Sequence, residues 1–239
     1  WSFDDAIRIR QHLGTIFSKA AEETDPAERK RLLTFVVAGA GFTGIEMAGE
    51  LLEFRDAMCR KQFLDPSETR VVVIEALPSI LPMLEEPLRV KAEKYLRKKG
   101  CEFMIGTPIV GAESGKVLVK DGDPIETATF IWTCGVKGTE FGAGLGLPMG
   151  KRNRIETDPG LRSLKHPFAF AVGDNSGLLV EGKPMAMIVE SAHFSAEAAA
   201  RNIIADIDGG EHHEFKPNYH GFMISLGGRY GVANAGGIR

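Results

Sequence analysis

The most constraining stretch of this chain is LTFVVAGAGFTGIE, Leu33 to Glu46, where a short apolar run gives way to closely spaced glycines and then to helical sequence. Leu33 to Ala38 carries no charge and is rich in β-formers, which suits a strand buried on both faces of a parallel sheet. Gly39, Gly41 and Gly44 follow at once, and a helix is expected from about Phe42 to Arg60. In that order, strand, G-x-G-x-x-G and helix make a βαβ turn whose helix N-terminus offers free N–H groups and partial positive charge to an anion. Gly39 is expected to permit the sharp turn and Gly41 to let a diphosphate approach the backbone. Gly44 would bring helix and strand close together. Ala48 and Gly49 continue the small-residue surface along the helix.

The next strand, Arg70 to Glu75, ends on a carboxylate. An acid at that point accepts hydrogen bonds from ribose hydroxyls and repels a 2′-phosphate, so NAD(H) is favoured over NADP(H). No arginine directly follows Glu75. Glu75 lies further beyond Gly44 than the roughly 20 residues usual for this fingerprint, and a loop at Asp65-Pro66-Ser67 accounts for the excess. Together these features predict NAD(H) with its pyrophosphate over Gly39-Ala40-Gly41-Phe42-Thr43-Gly44 and its adenosine ribose on Glu75. Glu46, in the first helical turn, either complements the helix dipole or faces the nicotinamide. The residues alone leave both open.

Around this motif the pattern is strand, helix, strand, helix, strand, then a meander. An amphipathic helix is expected over residues 4–22, a short helix from Pro26 to Arg31, a helix from Pro87 to Lys99 closed by Gly100, and a third strand from Cys101 to Ile105. Val117 to Lys120 with Asp121-Gly122 reads as a β-meander, and Phe130 to Thr133 returns to the sheet. Further on, Phe168 to Val172 reads as a buried strand, Met187 to Ile207 as a long helix stopped by Gly209-Gly210, and Tyr219 to Ala235 as β. The fold class is therefore α/β: a Rossmann-like domain with a β-meander insertion.

Bulk properties exclude more than they assign. A formal charge of -3 lacks the basic excess of a nucleic-acid binder. Its two basic clusters, Arg29-Lys30-Arg31 and Arg97-Lys98-Lys99, read as solvated element ends. Cys59, Cys101 and Cys134 are far apart, so no metal site and no dithiol centre is signalled. No apolar run reaches the roughly 18–20 residues that span a bilayer. Trp1 in place of Met, and the stop at Gly236-Gly237-Ile238-Arg239 just after strand-like sequence, suggest a piece of a longer protein.

Gly39 to Leu51, GAGFTGIEMAGEL, resembles the NAD fingerprint of the type II NADH dehydrogenases, single-subunit NADH:quinone oxidoreductases of the pyridine nucleotide-disulfide oxidoreductase-like superfamily. Four further stretches agree in order: Ile80-Leu81-Pro82-Met83, Trp132-Thr133-Cys134-Gly135-Val136, Ala171-Val172-Gly173-Asp174 and Tyr219-His220-Gly221-Phe222-Met223. The resemblance implies a two-dinucleotide-binding fold with the NAD domain inserted in an FAD domain. It implies hydride passing from NADH to FAD and electrons then passing to a quinone at the membrane surface, with the full-length protein cytoplasmic, peripheral on the inner face of the membrane, and a possible homodimer. By position, Glu46 would lie near nicotinamide and flavin, Gly135 beside the same stack, and Gly173 with Asp174 on the FAD ribityl and diphosphate region. Without the resemblance, Gly173-Asp174 is merely a strand-end turn. The implied segments are a helical lead-in over 1–30, the NAD-binding domain over 31–136, part of the FAD-binding domain over 137–210, and the start of a C-terminal domain over 211–239.

Departures from the family pattern are equally specific. The chain carries one G-x-G-x-x-G where the family has a second near its start, and the family's membrane-binding helices do not follow. Where many members place glutamines near flavin and quinone, this chain has Glu190 and His193, either a surface pair on a helix or a proton relay to quinone. The chain itself is thus expected to bind NAD(H) but to be nearly inactive. Two other readings stand beside this one: a soluble flavin- and NAD-dependent reductase with another acceptor, and a non-catalytic NAD-binding module.

Overall fold

A computed structural model describes residues 2–235, so Trp1 and the terminal Gly236 to Arg239 lie outside the described residues. The chain forms two compact units, residues 1–135 with 221–239, and residues 136–220.

The first unit opens with α1 (Phe3–Glu22), capped by a Ser2–Asp5 capping box. After it comes α2 (Pro26–Leu32), with Asp25 as N-cap and proline in its first turn. Alternating strands and helices come next: β1 (Thr34–Ala38), α3 (Phe42–Gln62), β2 (Arg70–Glu75), α4 (Glu86–Lys98) and β3 (Cys101–Ile105). A meander of β4 (Ile109–Glu113), β5 (Lys116–Val119) and β6 (Ile125–Glu126) leads to β7 (Thr129–Trp132). The order β3-β2-β1-β7, with every pair parallel, places the sheet's change of direction at β1. In open α/β sheets that is where ligands bind, outside the carboxyl ends of the strands.

Strand alternation sorts the core. Phe35, Val37, Val71 and Val73 face the helices, among Phe17, Ile45, Leu52 and Leu96, while Val36, Val72 and Ile74 face Val117, Val119 and Ile125 of the meander. Helices therefore cover one face of the sheet and the meander covers the other. A sheet wrapped on both faces explains why β1 and β2 are uncharged over almost their whole length.

The unit boundaries differ from the four segments expected. Leu13, Ile16, Phe17 and Ala20 of α1 are buried in the same core as β1, with Phe17 stacked on Phe35 at 5.4 Å between centroids, so α1 belongs to the same body as the sheet. The hairpin of β10 (Gly221–Ser225) and β11 (Gly231–Ala235) joins this unit too, because Ile224, Leu226 and Val232 enter its core and Tyr230 stacks on Tyr95 of α4 at 4.0 Å.

The second unit is built mostly of irregular chain: α5 (Phe141–Gly144), a hairpin of β8 (Leu179–Val180) and β9 (Lys183–Pro184), and the long α6 (Val189–Asp208). Its core is Leu161, Leu178, Met185, Ala199 and Phe215. The buried strand expected over Phe168 to Val172 does not form. Phe168 is 83% exposed, and one isolated bridge joins Phe170 to Arg162. After the His166-Pro167 turn the segment spends its amides locally, Ala169 N–H on the His166 carbonyl and Ala171 N–H on that of Leu161. No helix among the described residues is long and apolar enough to cross a membrane.

Candidate functional site

In the first unit the glycine turn sits at the carboxyl end of β1, held from both sides. Gly39 donates its N–H to the Ile74 carbonyl at the end of β2 (2.8 Å), and Thr133 after β7 donates both its N–H and its Oγ1–H to the Ala38 carbonyl (2.9 and 2.6 Å). Gly39 has φ +92, a conformation costly for any residue with a side chain. A Cβ on Gly44 would fall 1.9 Å from the Gly39 carbonyl oxygen, so helix and turn touch there and only glycine fits. A Cβ on Gly41 would meet nothing within 4 Å, so that side of the turn is open.

The first intrahelical bond of α3 runs from Ile45 N–H to the Gly41 carbonyl (3.0 Å), which leaves the N–H groups of Phe42, Thr43 and Gly44 ahead of the ladder. Glu75 ends β2 and reaches across to this turn. Its Oε2 accepts from Ala40 N–H at 2.7 Å and its Oε1 from Leu77 N–H at 2.8 Å. Glycine turn and acid, far apart in sequence, are in direct contact. Cys134 borders Gly39, and desolvation followed by the Glu75 charge pushes its thiol above the ordinary value. Gly135 follows immediately, with φ +100.

Glu46 points elsewhere: its carboxylate accepts from Ser225 N–H in β10 at 3.2 Å. Gly49 is also used differently from the expectation. A Cβ there would lie 2.4 Å from the Leu226 carbonyl carbon, so this glycine admits the C-terminal hairpin and not β1. Nothing in the sequence around Gly49 names a partner so distant.

In the second unit Gly173 and Asp174 open a short turn, Gly173–Asn175, with φ +54 at Gly173. Side chains pin this turn. Ser195 Oγ of α6 accepts the Gly173 N–H (2.9 Å), Asn175 Oδ1 accepts the Thr139 N–H (3.0 Å), and the Arg154 guanidinium donates to the Ser176 and Met185 carbonyls. Arg154 is 5% exposed. Desolvation pulls its guanidinium below the ordinary value, and the neighbouring Asp174 charge opposes that pull.

Glu190 does not pair with His193. Its carboxylate binds His220, with Nδ1 at 3.0 Å from Oε1 and the His220 N–H at 3.3 Å. His193 instead lies edge-on to Phe194. One helical turn brings residues three apart onto one face, but the tail segment at Tyr219-His220 lies nearer to Glu190, and Tyr219 also shares a hydrogen bond with Ser191 (3.0 Å). Sequence reasoning missed Thr133, Arg154, Ser195 and His220. The first and last stood inside quoted motifs, whereas Arg154 and Ser195 carried no local signal.

A glycine turn at a sheet's change of direction, opening a helix and bonded to an acid on the adjacent strand, defines an α/β protein of the dinucleotide-binding type. The chain belongs to the pyridine nucleotide-disulphide oxidoreductase family, which it matches over residues 5–199. It is 32% identical to the type II NADH:quinone oxidoreductase Ndh of Mycobacterium tuberculosis over 90% of this chain and 48% of that protein. It is also 32% identical to the type II NADH:quinone oxidoreductase of Staphylococcus saprophyticus, over 95% of this chain and 57% of that one. The chain thus spans about half the length of the curated relatives it matches. Among solved structures, NDH2 of Plasmodium falciparum in complex with NADH shares the fold, with a TM-score of 0.82 at 14% identity over 98% of this chain and 64% of that one. A ferredoxin reductase from Rhodopseudomonas palustris matches with a TM-score of 0.58 at 22% identity, over 83% of this chain and 47% of that one.

Proposed function

We propose that this chain is the NAD(H)-binding portion of an FAD-dependent NADH:quinone oxidoreductase, and that it binds NAD(H) but turns over little by itself. The contact between Glu75 and the Ala40 amide carries the reading. It places a carboxylate beside the open face of Gly41 and the unladdered amides of Phe42, Thr43 and Gly44. Those amides would take the pyrophosphate, and Glu75 would take the ribose hydroxyls while repelling a 2′-phosphate. Gly39 and Gly44 act by shaping the turn. Glu46 and Gly135 are assigned to the nicotinamide end. The hydrogen bond from Ser225 holds the Glu46 side chain in one direction, as a group meant to contact a reacting ring requires.

The second unit supplies what fits a flavin. Gly173 is left-handed and packs on Ala192, leaving Gly173 and Asp174 to hold the ribityl and diphosphate region. Bound FAD would supply the two-electron acceptance that no side chain here offers. Glu190, held by His220 in place of the His193 expected from spacing, is assigned to the quinone end. The 32% identity to two type II NADH:quinone oxidoreductases supports quinone as the acceptor. In this reading the complete protein acts at the cytoplasmic membrane surface through a segment outside this chain, and as a homodimer.

Calorimetric titration of the chain with NADH and with NADPH tests the core of this reading. NADH is expected to bind at least about tenfold more tightly, the scale of one charge-assisted hydrogen bond set against charge repulsion. Equal affinities would remove the role given to Glu75.

A further inference from the structure

Arginine is almost never fully buried unless paired, and Arg154 is buried without a salt-bridge partner in hydrogen-bond contact among the described residues. Its Nε and Nη1 donate to the Ser176 and Met185 carbonyls, while Nη2 is buried with no hydrogen-bond partner. A desolvated guanidinium with an unsatisfied donor costs stability, and an apolar side chain of similar volume would often be neutral or better. Core packing alone therefore does not explain this residue. Its surroundings do. Both carbonyls that it binds flank one structure: Ser176 closes the Gly173–Asn175 turn, and Met185 follows the β8–β9 hairpin into the unit's core. The adjoining backbone is tied to the same turn, with Ile155 N–H on the Asn175 carbonyl and Gly177 N–H on the Ile155 carbonyl, both at 2.7 Å. Desolvation lowers the Arg154 guanidinium below its ordinary value, and the Asp174 charge opposes it.

We infer that Arg154 is a positioning residue for the cofactor site of the second unit: its buried fork fixes the backbone of the turn that carries Asp174. Asp174 is then presented to the ligand from a backbone that is already fixed. The inference rests on the flavin reading of Asp174 given above. A flat, five-donor fork is required because two carbonyls on separate segments must be held at once, which a lysine ammonium on a flexible stem does less well.

The test combines two measurements. In the complete protein that carries this chain, Arg154→Met is expected to weaken FAD by about tenfold or more, the scale of a charge-assisted hydrogen bond. The readout is quenching of flavin fluorescence on titration of the apoprotein. The apoprotein's thermal midpoint should stay near that of the unsubstituted protein, and Arg154→Lys should recover part of the lost affinity. In the 239-residue chain, the same Arg154→Met change should speed hydrogen exchange at the Ser176 and Gly177 amides while the amides of α6 keep their protection. Unchanged exchange at those two amides would overturn the clamp. A large fall in thermal midpoint with exchange rising throughout the unit would make Arg154 merely structural. An unsubstituted complete protein that holds no FAD would instead break the flavin reading, while the exchange comparison still decides whether Arg154 fixes the turn.

Discussion

The two turns assigned to cofactors are built by opposite means. The turn after β1 is made by backbone: Gly39 adopts a left-handed conformation, Gly44 removes a side chain, and strands on both sides supply the hydrogen bonds. The turn at Gly173–Asn175 is held by side chains, with Ser195 and Arg154 reaching in from other segments and Asn175 of the turn itself accepting from Thr139. A backbone-built site tolerates little change in its few glycines, and beyond them it depends on the one acid, Glu75, that is bonded to the turn. A side-chain-built site spreads its requirement over many residues, each of which can be altered by degrees.

The largest effect should therefore come from Gly44→Ala. The added methyl falls inside contact distance of the Gly39 carbonyl, so α3 must move off β1. Overpacking of this kind costs about 1–3 kcal/mol or more, and NADH binding should vanish from a calorimetric titration. A variant that binds NADH as before would erase the contrast between the two turns. Gly49→Ala comes next. Its clash is with Leu226 in the hairpin, so the fold should lose about 1–3 kcal/mol, read as a lower thermal midpoint, while NADH affinity survives in the folded protein. Loss of NADH binding there would mean that the hairpin takes part in holding the nucleotide.

Much of this was legible in the sequence, and the reason is physical. The parallel sheet, its helices and the glycine turn follow from short-range rules: uncharged runs for doubly covered strands, glycine where a Cβ cannot go, an acid at a strand end. The three elements β1, α3 and β2 could be bounded to within two residues for that reason. Glu190 was misread in its partner because helical spacing offers His193 while the true neighbour, His220, arrives from the tail. The strand expected at Phe168 to Val172 failed because an apolar run alone does not say whether a neighbouring strand is there to accept its amides. Arg154 was invisible, since a basic residue between Asn153 and Ile155 gives no sign of burial.

Glu75→Gln sharpens the comparison at smaller amplitude. It can keep an acceptor for only one of the Ala40 and Leu77 amides and drops the charge, so NADH should weaken by about tenfold, the scale of one charged hydrogen bond. The preference for NADH over NADPH should narrow as well. A preference left intact would place the discrimination outside Glu75.

The smallest effect concerns pH and the second unit. Arg162 first, and His212 after it, hold the Asp206 carboxylate below its ordinary value of 3.8. A depressed carboxylate stabilises the fold above its unfolded pKa, and that contribution is lost as pH falls through the lower folded value. Asp206→Asn should flatten the acid limb of the unit's thermal stability and leave the first unit's unchanged. Identical acid limbs with and without Asp206 would show that the pair contributes nothing.

The central claim is that the glycine turn and Glu75 together form the nucleotide site. Backbone amide shifts of the labelled chain during an NADH titration test it most directly. The account predicts that the largest changes fall on Ala40 to Gly44 and on Glu75 and Leu77, with saturation at one equivalent. Saturable shifts elsewhere, with those amides unmoved, would contradict it.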